Sequence, residues 1–186
     1  MSVAYNVHID RNLDLLEKSV EFLEGEFGNF DGPPKWTTAL LRWKLSDDNP
    51  NGKGILAVAE IDGEVIATAS LVFKSIILDG VELVGAEIGD TYSAEKLRRL
   101  AKPKILIATN RDPNHYVNKS IFGRLVSEIT NLAKDMGCQV IYGTPNQNSL
   151  PGYCKKLNFL ETLAYRNVSR SMPTSLYIKN IIRLPE

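Results

Sequence analysis

The sequence predicts one α/β domain of the mixed-sheet, α+β kind, mostly antiparallel with a central β-α-β unit. Three observations carry this. Asp62-Gly63 and Asp79-Gly80 are both type I′ hairpin signals, so three strands run antiparallel in succession. The clearest helical stripe of the chain, Ile121, Phe122, Leu125, Val126, Ile129, Leu132, Ala133 and Met136, comes after them. It leads to a short apolar run, Gln139–Tyr142, which makes a strand–helix–strand crossover, right-handed by rule. The full order is β-α-α-β-β-β-(insert)-α-β-α-β-β, with hairpins first and the crossover after.

Each element has a local reason. Tyr5–Ile9 alternates and reads as a strand; Asp10 and Asn12 supply helix-capping chemistry. Leu13, Leu16, Val20, Leu23 and Phe27 then form one helical stripe, ended by Gly28. Gly32-Pro33-Pro34 breaks the chain, and Trp36–Leu45 is a second, shorter helix. Asp47–Gly52 is a loop by composition. The hairpin strands are Gly54–Ile61, Val65–Phe73 and Val81–Tyr92. Residues 93–116 form an insertion, with a helical turn or two at Ala94–Ala101 and a short strand at Ile105–Ile107. Gly137 ends the long helix. Gln139–Tyr142 is a short buried strand, Pro145–Asn148 is a turn, and Pro151 sits near the start of a last helix, where proline is tolerated. Phe159–Ser169 and Ser175–Lys179 read as closing strands.

Composition narrows the function classes. At 186 residues the chain is one domain, residues 1–186, large enough to fold without staples. Lys and Arg number 22, as do Asp and Glu, so the net charge is zero. A nucleic-acid partner usually brings a basic excess, and none is expected here. Two cysteines, Cys138 and Cys154, make neither a disulfide framework nor a zinc site, and no metal is expected. No apolar run approaches the ~18 residues of a membrane span, and the N-terminal residues lack signal-peptide character. The expected location is the cytoplasm, with no membrane partner.

Three segments carry a resemblance. They are Gly85-Ala86-Glu87-Ile88-Gly89-Asp90-Thr91; Tyr116-Val117-Asn118-Lys119-Ser120-Ile121-Phe122-Gly123-Arg124-Leu125; and Ile141-Tyr142-Gly143-Thr144-Pro145-Asn146, continuing through Asn148-Ser149 and Pro151-Gly152-Tyr153 to Lys155-Lys156-Leu157-Asn158-Phe159. Together they resemble the GNAT superfamily of N-acetyltransferases, and within it the branch found with bacterial cell-surface sugar and polysaccharide genes. The resemblance implies an acetyl-coenzyme A-dependent N-acetyltransferase, with an amino sugar, nucleotide-linked or free, as the small-molecule acceptor.

It also implies roles. The superfamily's pyrophosphate loop, Q/R-x-x-G-x-G/A, falls on His115–Ser120, with Asn118 and Ser120 in the two glycine places. A helix N-terminus offers unpaired N–H groups and a positive dipole end, so Val117, Asn118, Lys119, Ser120, Ile121 and Phe122 are the expected cofactor-binding residues. The plain alternative is an ordinary helix capped by Asn118. Asn146 and Asn148 follow the strand that pairs with pantetheine in this fold; they hold the cofactor arm or cap the last helix. His115, Lys119, Arg124, Lys155 and Lys156 are near enough in such a fold to meet phosphates, or are simply solvated.

In this fold the strand before the loop carries a bulge whose amides hold the thioester carbonyl. Gly85 and Gly89 permit one, and a bulge residue would bring Glu87 and Asp90 to one side. Glu87 is the first choice for general base and Asp90 the second; each has a hydrogen-bonding or solvated role as alternative. The superfamily's last helix reads Y-E-K-L-G-F, against Cys154-Lys155-Lys156-Leu157-Asn158-Phe159 here, so Tyr153 precedes the usual place of the general acid by one residue. It is the acid or a core aromatic. Trp36, Arg42 and Trp43 sit where the acceptor wall forms in this fold; flat rings stack on sugars and bases, though anchoring short helices is the commoner role. The insertion carries Lys96, Arg98 and Arg99 and reads as an acceptor-selecting lid, or as a flap or homodimer contact. The replaced glycines and displaced tyrosine leave a second reading open: a non-catalytic module of the same fold that binds a thioester or a partner. A third is an acyltransferase with another acyl donor or amine acceptor.

Overall fold

The computed structural model describes residues 5–27, 37–95 and 120–161. Strand β1 (Asn6–Asp10) is followed by helices α1 (Leu16–Phe27) and α2 (Thr38–Leu45). Strands β2 (Ile55–Ile61), β3 (Glu64–Leu78) and β4 (Val81–Ser93) come next, then α3 (Ile121–Asp135), β5 (Val140–Gly143) and α4 (Leu150–Leu157). The sheet order is β1-β2-β3-β4-β5; every pair is antiparallel except β4–β5, which is parallel. The closing strands expected beyond Phe159 and most of the insertion lie outside the described residues.

The turns follow from backbone chemistry. Asp62 and Gly63 have φ of 50° and 80°, and Asp79 and Gly80 have 51° and 78°. Both central residues of a type I′ turn need positive φ, which Asp tolerates and Gly prefers. Between the two turns, β3 runs five residues past Phe73. Lys74 and Ser75 interrupt its apolar pattern, yet they pair with Gly85 and Val84 on β4. Gly85 serves this ribbon rather than a bulge: a Cβ there would collide with Ile76.

The sheet is covered on both faces, so β2 is buried nearly end to end. On one face Leu16 and Leu23 of α1 and Leu41 and Leu45 of α2 pack on Leu56, Val58 and Val72. On the other, Leu125, Val126, Ile129 and Ala133 of α3 pack on Ile55, Ala57, Ala59, Ala69 and Leu71. Ser120, not Asn118, is the N-cap of α3: its Oγ accepts from the Gly123 amide at 3.2 Å. Gly137, at φ 89°, follows the C-cap of α3. Strand β5, expected to be buried, is half-exposed throughout the described structure.

Candidate functional site

The site starts with where two strands part. β4 and β5 pair from Gly85↔Val140 to Ile88↔Gly143. Beyond that point β4 continues to Ser93, while the chain after β5 turns away into the Pro145–Ser149 segment. A parallel crossover brings the N-terminus of α3 back to this same end of β4. Contact confirms the placement: the Phe122 ring of α3 meets Tyr153 of α4 edge-on at 5.1 Å, and the Tyr153 hydroxyl lies 3.3 Å from Thr91 Oγ1 on β4. Thr91 in turn donates to the Gly89 carbonyl at 3.0 Å.

A bulge interrupts β4 within this open stretch. Against β3, Gly89 pairs with Ser70 and Tyr92 with Thr68, so β4 carries one residue more than its partner. Asp90 takes the strain, with φ 46°, in the left-handed region. Its carboxylate reaches Lys44 Nζ of α2 at 2.7 Å and accepts from Ser70 Oγ at 2.6 Å. Its carbonyl accepts from Thr68 Oγ1 at 2.9 Å. The Asp90 side chain is only 10% exposed.

The bulge decides which groups share a face. Val72, opposite Glu87, belongs to the α1/α2 side, as do Lys44 and Ser70. Glu87 and Asp90 therefore stand on the same face of the sheet, despite a spacing that would part them in a regular strand. Glu87 pairs across β4–β5 with Tyr142, and Lys74 Nζ stands 3.8 Å from its carboxylate. The Tyr142 phenol is pushed above its ordinary range, first by burial and then by the negative charge of Glu87. Glu87 is 36% exposed, so this group opens to solvent.

Helix α2 borders the same face. Leu41 and Leu45 point into the core, while Leu40, Trp43 and Lys44 form a neighbouring stripe. Trp43 is 52% exposed, so it does not anchor the helix. Tyr153 is on the opposite side, buried against Phe122 and Phe159, and burial pushes its phenol up against the opposing effect of the Thr91 contact. Its ring is thus a core aromatic whose hydroxyl reaches the bulge strand. Cys154, in the usual tyrosine place, is a half-buried free thiol.

Asn146 is occupied as a cap: its Oδ1 accepts from the Asn148 and Ser149 amides, both at 3.0 Å, and its carbonyl from Leu150 N at 2.9 Å. Asn148 is exposed at that turn. Ile121 and Phe122 supply first-turn amides of α3, and Arg124 stacks its guanidinium over Tyr5 at 5.5 Å. Lys155 is exposed. Trp36, Lys96, Arg98, Arg99, His115, Val117, Asn118 and Lys119, and the side chain of Lys156, lie outside the described residues. Among the described residues no group of His, Cys, Asp or Glu side chains is arranged to hold a metal ion, and no helix is long and apolar enough to cross a membrane. The sequence reading missed Lys44, Ser70, Thr68, Lys74, Tyr142 and Thr91. A polar Thr68-x-Ser70 on one face of an apolar strand was the available signal.

No family model matches the chain, and no curated protein matches it. Solved structures do. An acetyltransferase of Trypanosoma brucei is similar over 90% of this chain and 100% of its own, at 16% identity and a TM-score of 0.56. Glucosamine-6-phosphate N-acetyltransferase of Arabidopsis thaliana is similar over 89% of this chain and 98% of its own, at 13% identity and a TM-score of 0.60. A predicted acetyltransferase of Clostridium acetobutylicum, solved with acetyl-CoA, covers 89% of this chain and 96% of its own, at 16% identity and a TM-score of 0.59. The fold is that of the GNAT acyltransferases. At these identities the likeness is one of fold, and the chemistry has to come from the site.

Proposed function

We propose that the chain is an acetyl-coenzyme A-dependent N-acetyltransferase whose acceptor is an amino sugar. The observation that carries this reading is the bulge at Asp90, set where β4 and β5 part and beside the N-terminus of α3. The residues fit the co-substrate in two ways. Among the described residues, β4 and β5 stop pairing after Ile88 and Gly143, which suits a pantetheine arm between them. The first-turn amides of Ile121 and Phe122, beyond the cap supplied by Ser120, suit a pyrophosphate; Val117, Asn118 and Lys119 would complete that loop. Bound there, the thioester supplies the acetyl group.

The chain's own groups divide the remaining work. Glu87, open to solvent and on the acceptor side, takes the proton that the amine must lose, directly or through a water. The bulge amides face the charge that develops on the carbonyl oxygen. The Tyr153 hydroxyl, kept protonated by burial, returns a proton to the sulfur side through its position beside Thr91. Asp90, already committed to Lys44 and Ser70, holds the bulge rather than acting as base. Trp43 and Tyr142 give the same face two accessible rings, which suits a sugar. The similar proteins include one that acts on glucosamine 6-phosphate and several named for aminoglycosides, which supports the acceptor class. The fold's solved relatives with bound acetyl-CoA or CoA support the donor.

The test is incubation with acetyl-coenzyme A and a panel of amino sugars, free and nucleotide-linked, following free thiol and acetylated product. Amine-dependent thiol release with an amino sugar is expected. Acetyl-coenzyme A binding without turnover on any amine would favour the binding-module reading; no binding at all would remove both.

A further inference from the structure

We propose that Lys44 is a positioning residue that fixes the β4 bulge from helix α2. Four features converge on it. Asp90 is an L-residue held at φ 46°, a conformation it leaves readily unless its surroundings over-determine it. Its carboxylate receives Lys44 Nζ at 2.7 Å and Ser70 Oγ at 2.6 Å, on one and the same oxygen. The lysine is itself held. Its neighbours Leu41 and Leu45 are fully buried, its carbonyl accepts from Asn49 Nδ2 at 2.9 Å, and Leu45's carbonyl accepts from Gly54 N at 3.0 Å. Finally, the ammonium passes close over Gly89: a Cβ at that position would stand 4.0 Å from Lys44 Nζ.

The pair is largely withdrawn from water, with side-chain exposures of 26% for Lys44 and 10% for Asp90. Removing the cation alone would take the ammonium away from a largely buried carboxylate, which is the costly way to break such a pair. Without the ammonium, the contact that ties the Asp90 side chain to α2 no longer holds its backbone in the left-handed region. The bulge would then lose its shape. Lys44 thus links α2, the helix that carries the exposed Trp43, to the strand segment that faces the opening between β4 and β5. The catalytic consequence rests on the acetyltransferase reading; the clamp itself does not.

The experiment compares the full-length chain with Lys44→Met, Asp90→Asn and the double variant. Hydrogen exchange is read on the β4 amides of residues 89–92, with α3 as internal reference. Lys44→Met should speed exchange at residues 89–92 about tenfold or more, with α3 unchanged. In the Asp90→Asn background the same change should have little further effect, because the charge that Lys44 holds is already gone. Exchange unchanged in Lys44→Met, or equal effects in both backgrounds, would overturn the clamp.

Turnover and calorimetry with acetyl-coenzyme A separate the second claim. Lys44→Met should lower kcat about tenfold while the acceptor KM stays within about twofold. A faster-exchanging bulge with undiminished kcat would show that the bulge is not part of the chemistry and would overturn the positioning role. If the wild-type protein shows no heat with acetyl-coenzyme A, the acetyltransferase reading fails, and the exchange result alone decides whether Lys44 holds the bulge.

Discussion

Tyr153→Phe separates packing from chemistry at one atom. The substitution removes the hydroxyl and keeps the ring, so the edge contacts with Phe122 at 5.1 Å and Phe159 at 5.3 Å survive. The lost hydrogen bond is long, 3.3 Å, and its partner Thr91 keeps its own bond to the Gly89 carbonyl. No donor is stranded, so the stability cost is that of one ordinary hydrogen bond, about 1 kcal/mol or less. For a domain of this size that lowers Tm by roughly 2–4 °C. The effect on turnover should be far larger, about 10²-fold, if the hydroxyl supplies the thiolate's proton. The pH dependence adds a second check. The Tyr153 phenol is raised above its ordinary value of 10.0 by burial. Its contribution to stability is therefore complete below that pH and is lost as pH rises through the raised value. Urea unfolding at ~pH 9 and ~pH 11.5 should show a smaller loss for the phenylalanine variant than for the wild type. Tyr5 and Tyr142 titrate in both proteins and cancel in the comparison. Full turnover in the variant would refute the proton-donor role and leave Tyr153 as a core aromatic.

Three further outcomes are expected. Glu87→Gln should lower turnover about 10²-fold with acetyl-coenzyme A affinity unchanged by calorimetry; unchanged turnover would remove Glu87 as base. Trp43→Ala should raise the acceptor KM several-fold and leave Tm nearly unchanged, since the ring is half exposed; a loss of about 3–5 kcal/mol in urea unfolding would instead mark it as a core anchor. Ile129→Ala, at a fully buried position of α3, should cost about 2–5 kcal/mol in the same assay, and a cost below about 1 kcal/mol would contradict the packing of α3 on β2.

Much of the fold was legible because its signals are local. Asp-Gly pairs encode positive φ at two successive residues, and a hairpin needs little more. The stripe from Ile121 to Met136 repeats for four turns, long enough that no strand reading competes. What was not legible depended on distant partners. The apolar run of β3 ends at Phe73, where Lys74 and Ser75 follow; in the fold they are carried by β4, across a ribbon whose inner contact is Ile76 lying over Gly85. A cap at Asn118 was the plain alternative to a phosphate loop there, whereas the bond that decides the cap of α3 runs from Gly123 N to Ser120 Oγ. Both residue types cap helices well, and sequence alone does not rank them.

The site shows the same division more sharply. Two glycines and two carboxylates in seven residues announced an unusual strand, and that much is a matter of residue type. Which residue would carry the left-handed turn is a different question, and local propensity favours Gly89. The bulge instead falls on Asp90, next to it. A glycine there would adopt φ 46° with less strain, but it would offer nothing for Lys44 and Ser70 to hold. Those partners stand 46 and 20 positions away in sequence, so the preference is invisible until α2 and β3 have packed. Trp43 follows the same logic. Read alone, a tryptophan in an eight-residue helix is a natural anchor; in the fold Leu41 and Leu45 already fill the inward side, and the ring is left facing water. Both departures from local expectation lie on the α1/α2 side of the sheet, joined by the Lys44–Asp90 contact. Tertiary structure overrides residue preference there at a cost in stability, and such costs persist where the resulting geometry serves a function.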